Sequence, residues 1–293
     1  MQLPHNARMY TTLITATQLQ ALMASGAPLR VMDCSFELTQ PDAGQAQFEA
    51  EHIPGSVHVH LDHHLSDKTG TDRTSGGRHP LPSRETFAAR LGAVGLHNGM
   101  QAVVLDRQAI ATCGRLWWML KWCGHEAVAV LDGGLAAWKA AGGAVESGPA
   151  TPPAPAAFSL RPPLAGTASA AEIAGALGHP GLTVIDARAA ARFRGETEPL
   201  DPVAGHIPGA LNRPFNQNVT ADGRFKPAAE LRAGFERLLA GRDPASVVHH
   251  CGSGVTAIPN LLAMEIAGLG RARLFPGSWS EWCNTPGLPV AQG

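Results

Sequence analysis

The sequence predicts an α/β protein of two tandem domains, each a parallel sheet with helices on both faces. Three observations support this prediction. The chain contains an internal repeat, a proline-rich segment separates the two copies, and each copy alternates short apolar runs with segments of helical period. With 293 residues, the chain is long enough for two domains of ordinary size.

The repeat is clearest in the motif His-Ile-Pro-Gly, which occurs at residues 52–55 and again at 206–209. Further along, Val103 corresponds to Val247 and Trp138 to Trp282, and both pairs are separated by the same 144 residues. A constant offset without gaps is hard to obtain by chance. The period is too long for a solenoid, so it indicates a duplicated domain.

The segment between the copies reads SGPATPPAPAAFSLRPPLAG, a composition that cannot continue a helix and favours extended geometry. It could be a surface loop inside one domain, but the repeats on either side favour a linker. We therefore place the first domain at residues 9–146, the linker at 147–166 and the second domain at 167–293.

Strands are expected where short apolar runs occur, and helices where apolar residues follow a helical period. Alternation of the two predicts a parallel sheet covered on both faces, with ligands bound at the carboxyl ends of the strands. The predicted strands are 29–33, 56–59, 102–106, 127–131, 182–186, 210–212, 247–250 and 272–275. The predicted helices are 15–24, 83–91, 115–122, 135–140, 169–177, 228–239, 257–267 and 278–283.

The formal net charge of −1 gives no whole-protein attraction to nucleic acid or membranes, so neither is expected as a partner. The first ten residues are polar and resemble no signal peptide, and five cysteines at irregular spacing favour reduced thiols. These features predict a cytoplasmic protein. No cofactor is expected, nor a metal, because residues 249–251 alternate along a strand and cannot converge on one ion.

Cys251 directly follows the predicted strand 247–250 and opens the segment Cys-Gly-Ser-Gly-Val-Thr before an apolar helix. The glycines let the backbone curl around the sulfur, and the amides of the curl and of the helix start favour an anion there. Thiolate is the nucleophilic form of cysteine. A lone cysteine is more often a small buried hydrophobe, but this placement favours a catalytic nucleophile.

Two specific alternatives can be weighed for the Cys251 loop. A cysteine-dependent phosphatase would need an arginine six positions after the cysteine, where this chain has Ala257. A non-enzymatic binding module fits the first half, because Arg107 stands at the position that matches Cys251. The first half is therefore expected to be catalytically silent, while the intact Cys251 loop argues for an enzyme.

The two HIPG motifs, the Asp-Gly-Gly and Gly-Ser-Trp segments, and the CGSGVT loop resemble the tandem-domain rhodanese superfamily of sulfurtransferases over nearly the whole chain. The resemblance implies that cysteine takes sulfur from a small anionic donor as a persulfide and passes it to cyanide, a small thiol or thioredoxin. The loop is similar to that of 3-mercaptopyruvate sulfurtransferases. Thiosulfate sulfurtransferases more often have two basic residues after the cysteine, where this chain has Gly252 and Ser253. A thiosulfate donor is the alternative.

The resemblance also implies roles for individual residues. Asp62, His79 and Ser253 match a proton-handling triad, although the first two could be ordinary surface loop residues. Arg192 and Arg194 match an Arg-Phe-Arg segment that binds the donor, and Arg192 is favoured as the clamp for its carboxylate, although a solvated loop or an ion pair is also possible. One departure stands out, because Leu200 occupies a position where the family often has a second arginine. The remaining substrate-binding residues are expected in the loop: Gly252, Gly254, Val255 and Thr256.

Overall fold

The structure is a computed structural model that describes residues 9–293. Most of the polar amino-terminal segment, on which the prediction of no signal peptide rests, lies outside the described residues. Within the described part of the chain, no helix is long and apolar enough to cross a membrane.

The chain divides into two compact units, and each unit includes a segment from the other half of the sequence. The first unit comprises the chain up to Ser66, Pro82–Leu164 and the short stretch Ala221–Arg224. The second comprises Asp67–Leu81, Ala165–Thr220 and Phe225–Gly293. The sequence repeat did not predict that each unit would include a segment from the other half of the sequence. The domain boundaries at 146 and 167 stay a prediction.

The first unit is built on a five-stranded sheet in which every neighbouring pair is parallel. The strand order is β1-β5-β4-β2-β3. Long central strands of Val, Leu and Ala are buried, as expected for a sheet covered on both faces. The strands are β1 (Leu13–Ile14), β2 (Leu29–Asp33), β3 (Val57–His58), β4 (Gln101–Leu105) and β5 (Val128–Leu131).

Five helices accompany this sheet. The first begins at a capping box, in which the Thr15 hydroxyl accepts from the Gln18 amide and the Gln18 side chain accepts from the Thr15 amide. The helices are α1 (Ala16–Ala24), α2 (Ala43–Ala50), α3 (Arg84–Ala93), α4 (Cys113–Trp122) and α5 (Gly134–Ala140).

The second unit repeats the arrangement with a four-stranded, all-parallel sheet in the order β7-β6-β8-β9. Its core packs Val184, Val248, Phe275, Trp279 and Trp282 together. The strands are β6 (Thr183–Asp186), β7 (Leu211–Asn212), β8 (Val247–His250) and β9 (Arg273–Leu274). The helices are α6 (Ala170–Gly175), α7 (Ala190–Phe193), α8 (Ala228–Leu239), α9 (Ile258–Ile266) and α10 (Ser278–Trp282), with 3-10 turns at Phe215–Asn218 and Pro244–Ser246.

The predicted α/β class and the two parallel sheets with helices are confirmed. All eight predicted strands and all eight predicted helices are present, with ends that differ by at most two residues. Strand β1 and helices α2 and α7 were not predicted. Helix α2 follows Pro41 and contains Gly44, and its cap residue Asp42 makes no capping hydrogen bond, so its sequence is typical of a loop.

Candidate active site

Cys251 lies at the carboxyl end of β8, an interior strand of the second sheet. On one side β8 pairs with β6, where Asp186 is opposite His250, and on the other it pairs with β9. Ligands of open parallel sheets bind at this edge, because loops there leave helix amino termini facing the strand ends. Cys251 itself is buried.

The start of the Cys251 loop is fastened to the beginning of α10. Ser278 Oγ accepts a hydrogen bond from the Cys251 amide at 3.1 Å and donates to the Phe275 carbonyl at 2.9 Å. The Cys251 carbonyl in turn accepts from the Trp279 amide at 2.9 Å. Ser278 holds φ at +56°, a strained value for a residue with a Cβ atom. These bonds fix the strained backbone and the cysteine together.

Gly254 makes the sharp curl of the loop possible. Its φ is +74°, and a Cβ atom there would lie 2.2 Å from the carbonyl oxygen of Pro276. Any side chain would therefore meet both an unfavourable backbone conformation and a backbone clash. The loop requires glycine at this position for a purely steric reason.

The loop presents amide groups that no protein atom satisfies. Within residues 9–293, five of its amides donate to no protein acceptor, namely those of Gly252, Ser253, Val255, Thr256 and Ala257. They precede α9, whose amino terminus carries Pro259 in its first turn. Unpaired amides at a helix start form a site for an anion.

Ser253, two residues after the cysteine, is hydrogen-bonded to His79. The distance from His79 Nδ1 to Ser253 Oγ is 2.8 Å, and both side chains are buried. His79 lies on the Asp67–Leu81 segment of the second unit, and α10 holds that segment in place. The Gly76 amide donates to Glu281 Oε2 at 3.1 Å, and the Arg78 amide donates to Ser280 Oγ at 3.0 Å.

Arg192 lies beside the same loop. A Cβ atom placed on Gly252 would be 3.6 Å from Nη1 of Arg192. The guanidinium is fixed by Glu198, whose Oε1 lies 2.6 Å from Nη2, and by Asp201 Oδ2 at 3.5 Å. This places the cation predicted for donor binding next to the residue that follows the cysteine.

Arg194 is positioned differently from Arg192. Its guanidinium pairs with the Glu196 carboxylate at 2.6 and 2.9 Å, and both side chains are largely exposed. Within the described chain, no hydrogen bond or ion pair of Arg194 reaches the Cys251 loop. Asp62 belongs to the first unit, where its amide donates to His60 Nδ1 at 3.0 Å. The roles of these two residues in donor binding and in a triad stay predictions.

Sequence reasoning missed Arg78 as a principal site residue. Its Nη2 would lie 3.3 Å from a Cβ atom on Gly252, nearer than either Nη atom of Arg192. The signal that could have found it is its place directly before His79, since a segment that brings one residue to the loop brings its neighbour too. Two guanidinium groups, those of Arg78 and Arg192, therefore lie beside Gly252.

The rhodanese-like domain family matches this chain twice, at residues 15–141 and 169–285. The second match contains the loop, α9 and α10 described above. The chain belongs to the rhodanese family.

Relatives within the rhodanese family extend over nearly the whole chain. A probable 3-mercaptopyruvate sulfurtransferase of Pseudomonas aeruginosa is 46% identical and aligns with 96% of this chain and 98% of its own length. A Mycobacterium tuberculosis protein, SseB, whose name provisionally assigns thiosulfate sulfurtransferase activity, is 40% identical over 96% of this chain and 97% of its own. The solved 3-mercaptopyruvate sulfurtransferase of Leishmania major is 31% identical, with a TM-score of 0.81 over 95% of this chain and 76% of that one.

The equivalent loop of the first rhodanese-like domain is filled by its own carboxylate. Asp106 Oδ1 accepts from the amides of Gln108 and Ile110, and Oδ2 accepts from those of Thr112 and Cys113, all at 2.8–3.0 Å. By the 144-residue offset, these amides correspond to those of residues 252, 254, 256 and 257. The same loop architecture therefore holds a carboxyl group through its amides elsewhere in this chain.

Arg107, at the position of the missing cysteine, is also fully engaged in its own unit. Its Nη1 lies 2.7 Å from Asp33 Oδ2 and 2.7 Å from Ser35 Oγ, and its Nη2 donates to the Glu51 carbonyl. An arginine has no nucleophilic electron pair to offer at neutral pH. The first domain has no group at this position that could carry sulfur.

The other four cysteines are poorly suited to act as nucleophiles. Burial raises the pKa of the Cys34 and Cys113 thiols well above the ordinary value, with nearby carboxylates adding to the shift. Burial also raises the pKa of Cys123 to about 11 and, to a smaller extent, that of Cys283. A raised pKa leaves little thiolate at neutral pH. All five cysteines are free thiols.

Proposed function

We propose that this protein moves a sulfur atom from 3-mercaptopyruvate to a thiol acceptor through a persulfide on Cys251. The observation that carries the proposal is the buried hydrogen bond between His79 Nδ1 and Ser253 Oγ, two residues from the cysteine. It provides a proton route of the kind that a carbon leaving group needs and a sulfite leaving group does not.

In the first half-reaction, the Cys251 thiolate attacks the thiol sulfur of the donor. The new bond joins the two sulfur atoms, and the carbon–sulfur bond of the donor breaks with its electron pair left on carbon. The resulting enolate takes up a proton and becomes pyruvate, while the persulfide loses the proton that the donor thiol carried. In the second half-reaction, an acceptor thiolate attacks the outer sulfur and Cys251 leaves as thiolate.

Ser253 is the group that we assign to protonate the carbon. Its hydroxyl can give a proton to the carbon and take another from His79, because the imidazole nitrogen is within hydrogen-bond distance. Both groups are shielded from bulk water, which makes a positioned donor more important than it would be in an open cleft. In hydrolases with a serine–histidine pair, histidine takes the proton of serine. In the proposed reaction the proton moves the other way, from His79 to Ser253.

The unsatisfied loop amides are assigned to the persulfide anion. The first domain supports this assignment, since the Gln108, Thr112 and Cys113 amides, which correspond to those of Gly252, Thr256 and Ala257, hold the carboxylate of Asp106. Because these donors are fixed before the reaction, they stabilise the charge on the outer sulfur without reorganisation.

Thiosulfate is the second candidate donor, and one observation favours it. The guanidinium groups of Arg78 and Arg192 beside Gly252 provide the positive charge that other family members carry on the loop itself. A dianion could be held there. The name of the Mycobacterium tuberculosis relative points to the same donor.

Steady-state rates with the two donors, measured on the same preparation, test the proposal. We expect a higher catalytic efficiency with 3-mercaptopyruvate, and a mass gain of one sulfur atom on the Cys251 peptide after donor is added without acceptor. Greater efficiency with thiosulfate would refute the donor assignment. The absence of a persulfide at Cys251 with either donor would refute sulfur transfer through this residue.

The acceptor is proposed to be a small thiol, thioredoxin or cyanide. A cytoplasmic location is part of the same proposal, since free thiols and a thiol acceptor suit a reducing compartment.

A further inference from the structure

We infer that Arg213, Asn218 and Asn260 form a buried network that positions the amino terminus of α9, and with it the unsatisfied amides of the cysteine loop. This inference rests on the proposed function and deepens it, because it names positioning residues that lie outside the loop. All three residues belong to the second unit, and each comes from a different segment: the residue after β7, the end of the first 3-10 turn, and α9.

The three residues are joined in a closed ring of hydrogen bonds. Arg213 Nε and Nη2 donate to Asn218 Oδ1 at 3.1 and 2.9 Å. Asn218 Nδ2 donates to Asn260 Oδ1 at 2.5 Å, and Asn260 Nδ2 donates to the Arg213 carbonyl at 2.9 Å, which closes the ring. All three side chains are buried. Because each asparagine amide both donates and accepts within the ring, neither can rotate without breaking it.

Asn260 links this ring to the active-site loop. It is the third residue of α9, and the loop amides that lack a protein acceptor come directly before that helix. The other side of the ring is bonded to the sheet, since the Arg213 amide donates to the Asp186 carbonyl at 2.9 Å. Asp186 is opposite His250, the residue before Cys251. The network therefore fixes the start of α9 relative to the sheet edge that carries the cysteine.

The first domain has apolar residues at two positions of this ring. By the 144-residue offset Asn260 corresponds to Leu116, and by the HIPG offset (206 minus 52, or 154) Arg213 corresponds to Val59. The Val59 amide donates to the Asp33 carbonyl at 2.8 Å, so Val59 has the same backbone position as Arg213. Both apolar residues are buried. The same architecture thus forms without the polar ring, which occurs in the domain whose loop begins with cysteine.

The ring contains a buried cation that has no acidic partner. Among residues 9–293, no carboxylate pairs with Arg213, and its Cζ lies 4.1 Å from the centre of the Phe235 ring. Burial lowers the pKa of Arg213 to about 10, which leaves it charged at neutral pH. Apolar residues in place of buried charges are often neutral or stabilising, so stability alone does not explain an arginine here. Its charge has the same sign as the amino terminus of α9, and both favour an anion at the loop.

The test replaces Asn260 by leucine, the residue at the equivalent position of the first domain. The rate at which iodoacetamide alkylates Cys251 is measured at a series of pH values from the mass of the Cys251 peptide. Because a displaced helix start stabilises the thiolate less, the rate at neutral pH should fall about two- to fivefold, and the pH profile should move to higher pH. A merely structural role would not move this profile.

Steady-state kinetics of Asn260→Leu should show a loss that does not depend on the donor. 3-Mercaptopyruvate and thiosulfate would both leave their sulfur on Cys251, where the same amides face it. With either donor, kcat should fall by about ten- to a hundredfold, the cost of a misplacement of about 1 Å, while KM changes little.

Two variants at Arg213 test the same inference if Asn260→Leu does not fold. Arg213→Met should slow the alkylation of Cys251 and lower kcat with both donors, and Arg213→Lys should recover part of the alkylation rate because the positive charge returns. Asn98→Leu is the matched control. Asn98 also donates one hydrogen bond and accepts one, both at 2.8 Å with the Ser159 backbone in the first unit, so neither rate should change.

An unchanged pH profile and an unchanged kcat in Asn260→Leu, with only the unfolding temperature lowered, would overturn this inference. A loss confined to one donor would also overturn it, because the loop amides face the persulfide formed from either. If the wild-type protein formed no persulfide with either donor, the proposed function would fail. The alkylation comparison would then still decide whether the network acts on the Cys251 anion.

Discussion

Replacing Ser253 by alanine separates the proposed proton route from every other function of the loop. The substitution removes one hydroxyl and its 2.8 Å hydrogen bond to His79 while leaving Cys251, the loop amides and the arginines in place. General acid catalysis by a positioned group contributes roughly 10²- to 10⁴-fold to a rate. We therefore expect kcat with 3-mercaptopyruvate to fall by about that factor.

The same variant should transfer sulfur from thiosulfate at nearly the wild-type rate, because sulfite leaves as an anion that needs no proton. Loss of the buried hydrogen bond costs about 1–3 kcal/mol of stability. Domains of this kind have a free energy of unfolding of roughly 5–15 kcal/mol, so the variant is expected to stay folded at assay temperature. Thermal unfolding by circular dichroism checks this point alongside the kinetics.

Ser246→Ala is the matched control for Ser253→Ala. Ser246 has the same 8% exposure as Ser253, and its hydroxyl bonds Thr183 Oγ1 and the Asp243 carbonyl at the start of β8, away from the loop. Ser246→Ala should lower the free energy of unfolding by a similar amount without changing the ratio of rates with the two donors. Equal losses of activity with both donors in Ser253→Ala would refute the proton route.

Three further predictions follow from the same structure. Cys251→Ser should abolish persulfide formation, measured by mass spectrometry, while Cys113→Ser should retain it; a persulfide that survives in Cys251→Ser would identify another carrier. Gly254→Ala should cost at least ~1–2 kcal/mol of stability from its positive φ, with further loss from the clash at Pro276, measured by urea unfolding. Burial lowers the pKa of His249 to about 3, so the free energy of unfolding should fall as pH drops from 6.5 toward 3. In His249→Leu this fall should be shallower, as measured by urea titrations at a series of pH values.

Much of the architecture was predictable because it depends on patterns with a regular period. Strands β2 and β8 were placed to the residue, since runs such as LRVMD and VVHH stand between turn residues. Cys251 could be assigned to the end of a strand for the same reason. Such features follow from local sequence, where apolar period and glycine position decide the backbone.

Contacts between distant segments were not predictable in the same way. Nothing local to Arg78 indicates that its guanidinium lies beside Gly252, because that position depends on Ser280 holding the Arg78 amide and on Asp201 holding its side chain. The pairing of His79 with Ser253 came only from a family resemblance. The resemblance favoured Arg192 over Arg194 as the clamp, but the ion pair of Arg194 with its neighbour Glu196 could not be predicted from the sequence.

The two halves of the chain differ in what faces the amides of the loop that follows a central strand. A strand followed by a tight curl and a helix leaves several amides without partners, and a buried unpaired amide costs free energy. In the first domain, the carboxylate of Asp106 accepts hydrogen bonds from these amides, and Arg107 is held by Asp33. In the second domain, the residue that matches Asp106 is His250, which burial keeps at a lowered pKa and therefore uncharged at neutral pH. The amides there have no internal carboxylate, so under the proposed function they stabilise the anion that forms on Cys251. Two adjacent positions, Asp106 and Arg107 in the first domain and His250 and Cys251 in the second, thus distinguish the closed loop from the candidate site.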